Sequence, residues 1–320
     1  MLRLAIVYEN RLGRNDGNPL YVLSALKRRQ ENGELEVDHI LPDPAQNLSR
    51  FGTYDCAIEA EWGEDGLEGI LPYKPIFPFS KPMAVWQSDT HIHDASYQYR
   101  LEKARKADIV FCAQKRAVEE FKRDGIPNPI WLPHAFEPSA YCDSDSIEFV
   151  KGTVGTYQGT PKPYNFLTKK YDVGFVGHVN SANRIEFLDR MFKEFPNFFW
   201  GQRLFNEAAE IYSRSKIALN ISMTDDINMR CFEVCGAGAF LLTNWLPTIE
   251  ELGFIDGKTC ALYKTIDEGI QKARYYIEHD EERQKIEQAG YEMVMASHTI
   301  DYRVDKILEE IKKFSLCLAV

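Results

Sequence analysis

The chain has 320 residues, 44% hydrophobic and 27% charged, which suits two domains of about 150 residues each and excludes long disorder. Its formal net charge of −10 counts against extended duplex DNA as a partner, because neutralising phosphates supplies most non-specific affinity, although a local basic groove stays open. No run of about eighteen apolar residues occurs, and the opening stretch from Met1 to Tyr8 is too short and strand-like for a signal peptide, so a cytoplasmic protein with no membrane insertion is expected. The seven cysteines are odd in number and scattered, as reduced thiols are. Cys231 and Cys235 share a helix face, but no second Cys or His pair accompanies them, so no zinc site is expected.

In chain order, Leu2 to Tyr8 reads as a buried strand and Glu9 to Gly17 as a polar loop. Asn18 and Pro19 start a helix with Leu20, Leu23 and Leu26 at helical spacing. Gly13 and Gly17 do not fit the dinucleotide fingerprint, so this loop reads equally as an ordinary βα turn. Apolar runs at Val37 to Leu41, Asp55 to Ile58, Met83 to Trp86 and Ile109 to Ala113 alternate with helical patterns at Ala95 to Lys106 and Gln114 to Arg123, which implies an α/β domain with a mostly parallel sheet. The proline-rich stretch Leu71 to Pro82 is an extended connection, and Ile130 to Leu132 a last short strand. Ser139 to Lys170, rich in Gly, Pro, Thr, Ser and Asp, reads as the connection to a second domain.

The second series runs strand Tyr171 to Gly177, helix Ser181 to Phe195, strand Phe198 to Gly201, helix Phe205 to Ser215, strand Lys216 to Ile221, a brief helix with Asn228 as N-cap, and strand Ala239 to Thr243. Three helices close it: Ile266 to Glu278, with Thr265 and Glu268 as a capping box, Glu281 to Ala296, and Ile300 to Phe314, capped by Thr299.

Two places concentrate polar chemistry. Asp89-Thr90-His91-Ile92-His93-Asp94 follows a predicted strand, at the end where an open parallel sheet holds its ligand. It reads in three ways: a metal cluster, a single His or Asp acting as hydrogen-bond donor or base, or a structural turn. The second place combines Gly174 to His178, Arg184 in the next helix, and Arg230 with Glu233 three residues apart on one helix face. Arg230 and Glu233 alone read equally well as a surface ion pair. Together with Arg184 they offer two arginines for a diphosphate and a carboxylate for vicinal ribose hydroxyls.

The runs Y-D-V-G-F-V-G-H at Tyr171 to His178, W-G at Trp200 and Gly201, Y-S-R-S-K-I-A-L-N at Tyr212 to Asn220, R-C-F-E-V-C-G-A-G-A-F-L-L-T at Arg230 to Thr243 and L-P-T-I-E-E-L-G-F-I-D-G-K at Leu246 to Lys258 resemble those of GT-B fold glycosyltransferases, specifically the CgeB-like (spore-maturation) family. A-D-I-V-F-C-A-Q at Ala107 to Gln114 and W-L-P-H-A-F-E-P at Trp131 to Pro138 resemble the last strands of a GT-B acceptor domain. The resemblance implies two Rossmann-like α/β domains facing across a cleft: an acceptor-side domain over 1–165, a nucleotide-sugar domain over 166–300, and a final helix over 301–320 crossing back to the first. It implies transfer of a hexose from a UDP-, GDP- or dTDP-sugar to a hydroxyl acceptor (a protein, glycan, metabolite or modified DNA base), with no resident cofactor or metal. Arg184 and Arg230 would stabilise the leaving phosphates, with Gly177, His178 and Asn220 at the strand ends completing the donor set. Glu233 resembles the ribose carboxylate. Asp225 stands where many retaining members carry Glu, a departure that leaves a retaining outcome resting on a shorter side chain. His91 falls near the position of a cleft histidine in many relatives, and Asp89 is an equal occupant of that role.

Overall fold

The structure is a computed structural model and describes residues 1–7, 18–40, 54–60, 82–88, 95–142, 147–148, 156–157, 161–162, 167–179, 181–222 and 224–317. The chain forms two compact units. Unit 1 comprises Met1–Pro133, Phe149–Thr156 and Ile300–Val320, and unit 2 comprises His134–Glu148 and Tyr157–Thr299.

Unit 1 is built from β1 (Leu2–Val7), α1 (Asn18–Glu31), β2 (Leu35–Ile40), β3 (Cys56–Ala60), β4 (Met83–Gln87), α2 (Ala95–Ala104), β5 (Ile109–Cys112), α3 (Lys115–Arg123) and β6 (Ile130–Trp131). The strands form one sheet in the order β2-β1-β3-β4-β5-β6, with every neighbouring pair parallel. Parallel sheets bury both faces, and β3, β4 and β5 are buried along their whole length. On one face Met83, Val85, Val110 and Cys112 pack against Tyr97 and Leu101 of α2 and Phe121 of α3.

That apolar face ends in polar groups. Glu59 of β3 forms an ion pair with Lys103 of α2, both nearly buried. Arg100, one turn earlier on α2, donates to the Ser88 carbonyl. Gln87 closes β4 fully buried, and among the described residues neither its Nε2 nor its Oε1 has a hydrogen-bond partner. Burying such a group unpaired costs about 1–3 kcal/mol.

A last helix, Ile300–Cys317, belongs to unit 1 and packs on α1. Asp301 in its first turn accepts from Arg28 Nη2 at 2.8 Å and Arg29 Nη1 at 2.7 Å. Asp305, one turn on, accepts from Arg29 Nη2 at 2.7 Å. Burial alone would lower the Arg29 pKa, but Asp305 and Asp301 more than offset it and hold the group above its ordinary value.

Unit 2 contains a four-residue helix, α4 (Pro138–Tyr141), and the two-residue strand β7 (Ile147–Glu148), while the two-residue strand β8 (Thr156–Tyr157) has one residue in each unit. Its sheet follows: β9 (Tyr171–Val176), α5 (Ala182–Glu194), β10 (Phe198–Gly201), α6 (Phe205–Arg214), β11 (Ser215–Asn220), α7 (Met229–Gly236), β12 (Leu241–Asn244), β13 (Ala261–Tyr263), α8 (Ile266–Glu278) and α9 (Asp280–Ser297). The strand order is β10-β9-β11-β12-β13, again parallel throughout. The core sits around Phe175, Phe187, Ile217, Leu219, Phe240, Leu242 and Tyr263. The predicted capping box of α8 is present in modified form: Thr265 Oγ1 accepts from Glu268 N at 3.2 Å, while Glu268 Oε2 reaches Lys264 N at 2.8 Å, one residue further back.

Sequence patterning misses β13, because three residues are too few to show a period; its place is set by pairing with β12 and by Asp256 Oδ1, which accepts from Leu262 N at 2.8 Å. Residues 134–148 group with unit 2, in the first part of what composition marks as connection. Their anchor is Phe136, whose ring lies so close to Gly236 of α7 that a Cβ there would sit 2.5 Å from it. Six cysteines (Cys56, Cys112, Cys142, Cys231, Cys235 and Cys260) are buried free thiols. Burial pushes Cys56, Cys112 and Cys231 up to about 12, so they stay protonated and unreactive. Among the described residues no helix is long and apolar enough to cross a membrane.

Candidate functional site

In unit 2 the chain passes from β9 out to the edge strand β10, then back across to β11. The carboxyl ends of β9 and β11 therefore flank a topological switch point, where an open parallel sheet receives its ligand. β9 runs into Gly177 and His178; β11 ends at Asn220 and leads to α7, which carries Arg230 and Glu233.

Arg230 is the centre of this arrangement. Its Nη1 donates to Asn220 Oδ1 at 2.8 Å, and its guanidinium lies over the Phe175 ring at 4.9 Å. Nearby is Tyr212, a fully buried phenol whose pKa is raised first by burial and then by the charge of Glu233, against the lowering influence of Arg230. Asn220 is the hub beneath. Fully buried, it donates to Thr243 Oγ1 at 2.9 Å and accepts from Asn228 Nδ2 at 3.1 Å as well as from Arg230. With its amide so occupied, Asn220 aims Arg230. Asn228 holds the N-cap position of α7 but makes no side-chain cap, because its amide is turned to Asn220 and to Ser222 Oγ at 3.3 Å. The first-turn N–H groups of α7 therefore receive no cap from the Asn228 side chain, although the Asn228 carbonyl accepts from Cys231 N at 3.3 Å.

Gly177 has φ +149, a conformation suited to glycine, and a Cβ built on it would stand 2.3 Å from Arg230 Nη2. The backbone and the guanidinium thus approach as closely as the absence of a side chain permits. Gly177→Ala is expected to displace Arg230 and to weaken binding of pyrophosphate, used as a probe anion, about tenfold or more, by calorimetry, with the fold retained by circular dichroism. Unchanged affinity would show that the close approach does not matter.

Arg184, in the first turn of α5, is nearly buried. Its Nη1 donates to the His178 carbonyl at 2.7 Å and its Nη2 to the Ile221 carbonyl at 2.6 Å, tying the two loops of the switch point together. It also approaches the Phe175 ring, at 5.7 Å. Burial, and secondarily the charge of Arg230, lower the Arg184 pKa to about 10. Two cations are thus held near one aromatic ring against their mutual repulsion, and a bound anion relieves both.

Glu233 lies one turn beyond Arg230, and its Oε1 accepts from Tyr141 Oη of α4 at 2.7 Å. His178 is exposed, with Nδ1 3.1 Å from Gln202 Nε2. Asp225 is exposed in the bend between β11 and α7. The structure therefore brings Gly177, His178, Arg184, Asn220, Arg230 and Glu233 to one switch point and places Asp225 on the connection leading into it. Asp89 and His91, with His93 and Asp94, lie outside the described residues. Among the described residues no group of three or more His, Cys, Asp or Glu side chains is placed to hold a metal ion.

Sequence reasoning does not single out the groups that shape the site from beneath and beside it. Phe175 and Tyr212 stand inside recognisable runs, but nothing in their spacing shows that they meet Arg230. Trp200, at the end of β10, is 57% exposed and donates from Nε1 to the Gly177 carbonyl at 3.4 Å. Phe205, just beyond, has φ +50, a strained value for an aromatic residue, and its ring lies 6.4 Å from that of Tyr141.

Residues 178–309, which hold all of this site except Phe175, Gly177 and Tyr141, match a family model described as glycosyl transferase-like. No curated protein matches the chain in sequence. Among solved structures, sucrose-phosphate synthase from Thermosynechococcus elongatus superposes with a TM-score of 0.66 at 12% identity, over 99% of this chain and 100% of that one. An alpha-glucosyltransferase in complex with UDP and a 13-mer DNA containing an HMU base gives a TM-score of 0.66 at 11% identity, over 97% and 99%. HepE of Anabaena, in complex with UDP and glucose, gives 0.63 at 11% identity, over 98% and 100%. At these identities the likeness is one of fold, and the fold is GT-B: two Rossmann-like units, each with its own parallel sheet.

Proposed function

We propose that the protein is a glycosyltransferase that moves a hexose from a UDP-sugar to a hydroxyl acceptor, and that its donor site is the unit 2 switch point. The observation that carries this reading is Arg230, buttressed by Asn220, pressed against Gly177 and paired with a second buried cation at the start of α7. Fixed positive charge of this kind is matched to a diphosphate that gains charge as it departs. The glycosyl transferase-like match over 178–309 and the fold shared with UDP-bound structures support the same reading.

In this reading Arg230 and the first-turn N–H groups of α7 meet the phosphates, and Arg184 adds charge while holding the two loops together. Glu233, fixed by Tyr141, accepts from the ribose hydroxyls. The base lies toward Gly201 to Phe205, the loop that joins the Gly177 side of the site to Tyr141. Asp225 faces the transferred sugar, and Asp89 or His91 orients or deprotonates the acceptor. Transfer is metal-independent, since side chains and the helix terminus supply the counter-charge, and it retains the anomeric configuration, with the shorter Asp225 in the place of a glutamate. The subfamily is the CgeB-like one.

The test is incubation with UDP-glucose and EDTA, following UDP release and the product anomer by NMR. Hydrolysis or transfer with an α-configured product is expected. UDP binding without either reaction would make the protein a binder, dependence on a divalent cation would overturn metal independence, and a β-product would overturn retention. Glu233→Gln separates ribose from phosphate recognition: the Kd for UDP is expected to rise about 10–100-fold, with the Kd for pyrophosphate unchanged. A parallel loss for pyrophosphate would place Glu233 elsewhere in the site.

A further inference from the structure

A sheet edge is a row of unpaired N–H and C=O groups that another chain can extend, so proteins blunt it. Two of the outer strands here are blunted by side chains. On β2, Val37 N donates to Gln30 Oε1 at 2.8 Å and the Val37 carbonyl accepts from Lys27 Nζ at 3.1 Å, both partners coming from α1. On β13, Leu262 N donates to Asp256 Oδ1 at 2.8 Å and the Leu262 carbonyl accepts from Lys272 Nζ. A third outer strand, β6, has only two residues.

The fourth, β10, is different. It ends the unit 2 sheet, reads Phe-Phe-Trp-Gly and carries no charge. The carbonyls of Asn197 and Gly201 accept from Asp172 N and Gly177 N, on the β9 side. Strand alternation therefore turns the N–H and C=O of Phe198 and Trp200 outward, and among the described residues no side chain bonds them. The surface beside this edge is apolar as well. Ile185, Phe192, Trp200 and Leu204, all between positions 185 and 204, are four of the nine large apolar side chains exposed among the described residues. Phe192 of α5 meets Phe198 edge to face, with ring centroids 6.2 Å apart. An apolar patch along an open edge marks an interface.

Two features select the partner. If a second copy runs antiparallel along β10, Phe198 of one copy stands opposite Trp200 of the other and exchanges both backbone bonds with it; two-fold symmetry repeats the exchange and leaves none of these outward groups unpaired. The same axis lays α5 antiparallel to its counterpart on one face of the joined sheet. There Asp189 and Lys193, an exposed pair 2.6 Å apart, form a charge row that is complementary to itself when reversed. We propose that the protein is a two-fold dimer joined through β10, in which the two five-stranded sheets run into one and α5 packs on its counterpart. This surface stands whether or not the donor reading does.

The test is sedimentation velocity of the full chain over about 1–100 μM, with amide exchange followed at Phe198 and Trp200. The wild type is expected to dimerise, and these two amides to slow as the dimer fills. Phe192→Lys, at an exposed position, should raise the dimer Kd about tenfold or more with circular dichroism unchanged. Asp189→Lys sets lysine against lysine and should raise it about 3–10-fold. Asp189→Lys with Lys193→Asp reverses the row but keeps it self-complementary, and should return the Kd to within about twofold of wild type. A monomer at every concentration would overturn the proposal, as would a dimer indifferent to both single substitutions or one in which the two amides exchange as in the monomer. A double variant as weak as Asp189→Lys would overturn the antiparallel placement of α5.

Discussion

Replacing Arg230 with alanine is expected to lower kcat/KM for reaction of UDP-glucose by about 10²–10³ and to leave the protein folded. The size follows from the position of the guanidinium, set at the switch point by Asn220 and Phe175 and so pre-aimed before any ligand arrives. A fixed donor of this kind acts mainly on charge that develops in the transition state, so kcat should fall more than KM rises. Stability should change little, because removing one of two neighbouring cations relieves the repulsion that helps lower the Arg184 pKa. Arg230→Lys keeps the charge without the forked geometry and should recover only part of the loss. Steady-state kinetics with a thermal melt on the same samples decide the matter. Full activity in Arg230→Ala would sink the donor-site assignment, and an unfolded variant would move Arg230 into the structural class.

The second large effect is on stability. Asp301→Ala is expected to destabilise unit 1 by about 3 kcal/mol, because Arg28 and Arg29, both nearly buried, lose the carboxylate they share. For a unit of this size that corresponds to a Tm lower by about 6–12 °C. The triple substitution Arg28→Met, Arg29→Met, Asp301→Leu should recover most of it, since an apolar cluster carries no charge to desolvate. A melt of Asp301→Ala unchanged from wild type would mean that Asp305 and the backbone carbonyls suffice for both arginines.

The architecture was legible in the sequence wherever the pattern was long. Ile266–Glu278 begins and ends where its apolar spacing places it. Edges shifted where the deciding force is pairing and not composition: Ile221, read as strand, lies beyond the end of β11, and Ala239 and Phe240 precede β12. The polar members of the candidate site were legible as residue types, since Gly177 follows a strand end, Arg184 and Arg230 stand in the first turn of a helix, and Glu233 comes three residues after Arg230. Their division of labour was not. That Arg184 straps two carbonyls, that Asn220 is a buried hub, and that Tyr141 steadies Glu233 depends on contacts between residues 6 to 92 positions apart. Gln87 was passed over for a related reason: an amide after an apolar run looks like a strand end, and only its surroundings in the fold show that it lacks a partner among the described residues.

Unit 1 closes with a helix that follows unit 2 in the chain. During synthesis, then, unit 2 has nearly all of its residues while unit 1 still lacks the partner of Arg28 and Arg29. All six strands of the unit 1 sheet precede unit 2 in the chain, so what comes last is the helix alone, and the side of α1 that it covers stays open until Ile300–Cys317 emerges.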